Sequence, residues 1–138
     1  MCLPKLRYRR IASHNASEQS IENTEKREYS IKQSAIFPHA GKAYKIRFSN
    51  GLEVTNTYAA DQDRVSVEFL SGDLLGTQMT IPFTWTELEA GNFLLSWQEA
   101  DQSTVVHCDN FEQQVCRAFY TTMKGDFYVM TGRIERIL

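Results

Sequence analysis

The 138-residue chain has only three cysteines, Cys2, Cys108 and Cys116. That number is too small and too odd for a disulfide framework, and no C-x-x-C spacing marks a zinc site. A reducing, cytoplasmic compartment is the expectation. No run approaches the ~18 apolar residues of a membrane span. The opening MCLPKLRYRRIASHN has no apolar segment ahead of a small-residue cleavage site, so a secretory signal is not expected. An excess of one charge is also missing: 15 basic against 17 acidic residues leave a net charge of −2. Nucleic-acid binders are normally strongly basic, so neither nucleic acid nor membrane is expected as a partner. Lys5, Arg7, Arg9 and Arg10 make a short basic cluster that reads as a solvated tail. The G-x-S-x-G, P-loop, H-E-x-x-H and Rossmann glycine patterns are all absent. Of three histidines, His14 and His39 fall in or beside the N-terminal arm. A metal site would need His107 joined by distant acids, so no metal and no cofactor is expected.

What is present fits one globular domain, with 42% hydrophobic and 23% charged residues. Residues 1–38 are polar with scattered apolar positions and read as an arm or lid, in which Ser17 to Glu28 could hold a short helix capped by Ser17 or Ser20. Residues 39–138 change to a two-residue period. Tyr44, Ile46 and Phe48 alternate with Lys45 and Arg47, and Asn50-Gly51 then predicts a type I′ hairpin. Val54, Asn56 and Tyr58 continue a second strand, and Val65, Val67 and Phe69 a third. Met79, Ile81, Phe83 and Trp85 mark a fourth, in which Pro82 predicts an edge, a bulge or a break. Four more strands are expected over 93–98, 104–109, 114–122 and 127–137. About eight strands with tight turns and no convincing helix predict an all-β fold, a single antiparallel up-and-down barrel. Closure removes exposed edges, and that strand number leaves an interior for side chains or one small ligand.

The stretches Ser96-Trp-Gln-Glu-Ala-Asp, Thr104-Val-Val-His and Asp109-Asn-Phe-Glu resemble the core of MoaF-like proteins, the group related to molybdenum cofactor biosynthesis protein F. Gly41-Lys-Ala-Tyr and Thr131-Gly-Arg-Ile-Glu-Arg-Ile fit the same pattern, and the likeness covers roughly residues 41–138. The resemblance implies a calycin-type, lipocalin-like barrel. It implies little about activity, because barrels of this type serve as small-molecule carriers and also as decarboxylases and cyclases.

The hairpin after this motif carries the candidate chemistry. A turn centred near Glu112 would set His107 opposite Arg117 on one face and Cys108 opposite Cys116 on the other. With His107 and Arg117 inward, the lumen would hold an imidazole beside a fixed cation able to grip a carboxylate or phosphate. His107 could then act as a general base or orienting donor. With the cysteines inward, the lumen would be mostly apolar and the His–Arg pair would be solvated; Val105-Val106 leaves the choice open. Trp97 is a core or rim residue that could wall a planar ligand. Glu99 stands at the mouth of a turn, where it could meet water or act as an acid. Tyr44, Tyr58, Tyr120 and Tyr128 could offer phenols, and Tyr44 and Tyr120 join Trp97 and Glu99 as candidate ligand-binding residues.

The leading expectation is a small-molecule-binding barrel whose ligand is a compact aromatic or apolar anion. The alternatives are an enzyme on the same barrel, a decarboxylase, isomerase or cyclase using His107 and Arg117, and a non-catalytic interaction module. A homodimer through an outer face, with Leu94, Val105 or Leu70 in the patch, is a further expectation.

Overall fold

A computed structural model describes residues 35–138. The helix expected near Ser17 and the basic cluster lie outside the described residues. Nine antiparallel strands run β1 (Ala43–Phe48), β2 (Glu53–Tyr58), β3 (Arg64–Phe69), β4 (Gln78–Pro82), β5 (Thr84–Glu87), β6 (Asn92–Gln98), β7 (Thr104–Asn110), β8 (Val115–Thr121) and β9 (Phe127–Arg136). Their order in the sheet is β4-β3-β2-β1-β9-β8-β7-β6-β5, an up-and-down meander in which the last strand returns to pair with the first. The result is the expected all-β barrel, nearly closed.

The count exceeds eight because the expected fourth strand is divided. Proline has no N–H to offer a ladder, and at Pro82 the chain changes partners. Residues 78–82 pair with β3 and residues 84–87 pair with β6. One bent segment thereby serves both ends of the sheet and brings them together.

Period-two patterning decides which residues are inside. Ile46, Val54, Val65, Leu95 and Ala118 are all at most 5% exposed, while their strand neighbours face solvent. Gly132 on β9 lies against Ile46 and Phe48. A Cβ there would come within 3.0 Å of both side chains, so the missing side chain makes room for these neighbours on the adjacent strand β1.

Two turns differ from expectation. The β1–β2 loop is Ser49-Asn50-Gly51, closed by Gly51 N–H donating to the Phe48 carbonyl at 3.0 Å. Gly51 takes the left-handed conformation (φ 92°) and Asn50 does not, so the turn is a three-residue loop and not type I′. Between β7 and β8 the loop has four residues, 111–114, with Gln114 left-handed at φ 61°. An even-numbered loop shifts the register by one from a turn centred on Glu112. His107 is therefore opposite Ala118, Cys108 opposite Arg117, and Asp109 opposite Cys116.

One end of the barrel is plugged by aromatic rings. Phe37, which composition assigned to the arm, is 2% exposed and packs edge-on to Tyr58 (4.9 Å between centroids) and to Phe83 and Phe93. His39 stacks on Phe111 at 3.9 Å, and its Nδ1 shares a 2.7 Å hydrogen bond with the Tyr44 hydroxyl. Burial, with Lys42 and Arg136 nearby, holds the His39 imidazole below its ordinary pKa and so favours the neutral ring.

Candidate functional site

The other end of the barrel stays open, with a cavity of about 60 Å³. Phe48 and Leu52 from the β1–β2 hairpin, Val67 and Phe69 from β3, Trp97 from β6 and Met130 from β9 supply apolar wall. Asn56, Glu99, His107 and Tyr120 supply the polar groups. Among the described residues no lysine or arginine borders this cavity.

Residues 105, 107 and 109 share the inward face of β7, which resolves the Val105-Val106 ambiguity. His107 is 4% exposed and its ring lies 4.9 Å from Trp97. Arg117 points to the outer surface beside Cys108, so the expected His107–Arg117 pair does not form; the four-residue loop has moved it to the opposite face. Val105 is likewise inside and leaves the expected outer patch, whereas Leu94 remains 41% exposed.

Glu99 and Tyr120 do come together at the cavity mouth, where the phenol donates to Glu99 Oε2 at 3.1 Å. Burial pushes the Glu99 carboxyl above its ordinary pKa, partly offset by that hydrogen bond. Burial also raises the Tyr120 phenol, with the neighbouring Glu99 charge adding to it. Tyr44 belongs to the plugged end with His39 and does not border the cavity.

Three inward residues escaped the sequence reading as site candidates. Asn56 is 0% exposed, and neither its amide oxygen nor its nitrogen has a hydrogen-bond partner among the described residues. The signal was a polar residue at an inward position between Val54 and Tyr58. Asp109 and Cys116 are the others, at 0% and 2% exposure. His107 Nδ1 lies 3.4 Å from Asp109 Oδ2 and 3.5 Å from Cys116 Sγ. The H-x-D spacing on one strand face was visible, but Cys116 joins it only in the observed register. Burial and the Asp109 carboxylate push the Cys116 thiol far up, which keeps it protonated and a poor nucleophile.

Buried donors and acceptors are normally paired, and an unpaired one costs about 1–3 kcal/mol. Asn56, the Trp97 indole N–H, the Tyr58 hydroxyl and Asp109 Oδ1 are all unpaired among the described residues. Burial pushes the Tyr58 phenol well above its ordinary pKa, with the Asp109 charge adding to it and the Asn56 amide partly offsetting it. Asn56 and Trp97 border the cavity itself, where an occupant could satisfy both.

Comparison with known proteins agrees with this architecture. No curated protein matches the sequence significantly. Among solved structures, a protein of Burkholderia vietnamiensis provisionally described as a beta-lactamase superposes with a TM-score of 0.72 at 31% identity, covering 75% of this chain and 99% of that one. The MoaF-like family pattern matches residues 40–135, which span the whole barrel from the start of β1 almost to the end of β9. The chain belongs to the MoaF-like family.

Proposed function

We propose that this protein binds a compact, mainly apolar, planar molecule at the open end of the barrel. The carrying observation is the pair of buried polar groups without partners among the described residues, Asn56 and the Trp97 indole N–H, bordering a mainly apolar cavity. Apolar wall with a few fixed polar groups is the usual composition of a small-molecule site. Trp97 offers a flat face, Asn56 a donor and an acceptor, and Glu99 with Tyr120 a polar rim.

The anion expected from sequence loses its basis, because Arg117 lies outside and the cavity borders a carboxylate, Glu99. Charge complementarity favours a neutral or cationic ligand instead. At about 60 Å³ the space is well below the ~300–1,000 Å³ of drug-sized sites, so the ligand is small or its outer part projects through the mouth. A serine-based lactam hydrolysis, the reaction the Burkholderia protein's description suggests, is not carried over, since among the described residues no serine or lysine borders the cavity.

Calorimetry with matched small aromatics in neutral, amine and carboxylate forms tests the reading. Saturable one-site binding of the neutral or amine members, and weaker binding of the carboxylates, is the expected outcome. Preference for the carboxylates, or no binding across the set, would overturn it.

A further inference from the structure

We propose that His107, Asp109 and Cys116 form a site for one divalent transition-metal ion, zinc being the favoured occupant. The three side chains offer an imidazole nitrogen, a carboxylate oxygen and a sulfur, all within 4.8 Å of one another. Two of the separations are 3.4 and 3.5 Å. A triangle of those dimensions contains a point about 2.4 Å or less from every corner, close to the ~2.0–2.3 Å of zinc–ligand bonds. The ion needs only a few tenths of an ångström of adjustment.

Burial and charge point the same way. Asp109 is 0% exposed, and its Oδ1 has no hydrogen-bond partner among the described residues. A buried carboxylate with an idle oxygen is costly unless a cation is at hand. A dication balances the two negative charges of a carboxylate and a thiolate. Thiolate, imidazole and carboxylate together suit zinc better than calcium or magnesium, which take all-oxygen shells. Binding replaces the Cys116 S–H bond with an S–metal bond and sends one proton to solvent, with no electron transferred. Three protein donors leave a tetrahedral ion one position for water. His107 also borders the cavity, so the ion would sit beside the proposed organic ligand, but the metal site does not require that ligand.

The probe is cobalt(II), titrated into the EDTA-treated full-length chain carrying Cys2→Ser and Cys108→Ser, so that Cys116 is the sole thiol. Expected are uptake of one equivalent, a near-ultraviolet thiolate-to-cobalt charge-transfer band, loss of that band on adding zinc, and at least tenfold weaker binding in Asp109→Asn. Circular dichroism confirms folding at each step. A folded protein that takes up no cobalt, or takes it up without the thiolate band, would overturn the proposal. So would equal affinity in a folded Cys116→Ala variant. Should that variant fail to fold, the titration of the Cys116-only protein decides by itself.

Discussion

Replacing Asn56 with Leu should stabilise the protein and weaken ligand binding together. Asn56 sits on the inward face of β2 at 0% exposure with both amide atoms unpaired among the described residues. Such a group forgoes about 1–3 kcal/mol of hydrogen bonding. Leucine removes that penalty and adds apolar contact, while the adjoining space of about 60 Å³ accepts its extra volume. Allowing for some repacking, the gain should be about 1–2 kcal/mol, and for a domain of this size each kcal/mol moves Tm by about 3–5 °C. The assay is thermal and urea unfolding, followed by tryptophan fluorescence. Calorimetry on the same variant should show at least about a tenfold loss of ligand affinity, equivalent to about 1.4 kcal/mol. A loss of more than about 1 kcal/mol of stability would refute the reasoning, because it would mean that the amide serves the fold and is not kept for an occupant.

Other substitutions and pH test the remaining parts of the account. Tyr58→Phe removes a buried hydroxyl without a partner among the described residues and should be neutral or stabilising in urea unfolding, whereas Leu95→Ala, at a 0% exposed position, should cost about 2–5 kcal/mol. Gly132→Ala should cost about 1–3 kcal/mol by forcing a methyl against Ile46 and Phe48. His39 has a lowered folded-state pKa, so the unfolded chain binds more protons below its ordinary value of 6.5. Its contribution is lost as pH falls below that value, and His39→Gln should flatten that part of a Tm–pH profile. Glu99 has a raised folded-state pKa, so the native state binds more protons just above 4.5. Stability should rise as pH falls through that window, and Glu99→Gln should remove the rise.

Much of the barrel was legible because a half-buried strand writes its two faces into alternate residues. Tyr44-Ile46-Phe48 and Val65-Val67-Phe69 show this, and each set is buried on one face as read. Pro82 announced the break in the fourth strand, but not that the second half would pair with a different neighbour. Registers were less accessible. The length of a turn depends on backbone angles such as those of Gly51 and Gln114, and a change of one residue exchanges the faces of a whole strand. That one residue separates the expected His107–Arg117 pair from the observed His107–Asp109–Cys116 group. Trp97, Glu99 and Tyr120 were recognised as candidates and do share the cavity, because their places depend on strand alternation more than on that turn. Asn56 was in view but passed over, since only the packed structure shows a polar side chain without a partner.

The most direct test of the lumen as binding site is ligand-observed NMR with small neutral and cationic aromatics on the native protein and on Val67→Phe. Val67 borders the cavity at 4% exposure, and the larger ring projects into that space while remaining apolar. Saturation transfer to ligands in the native protein and its loss in the folded variant is the predicted result. Undiminished transfer in Val67→Phe would place binding elsewhere and contradict the account.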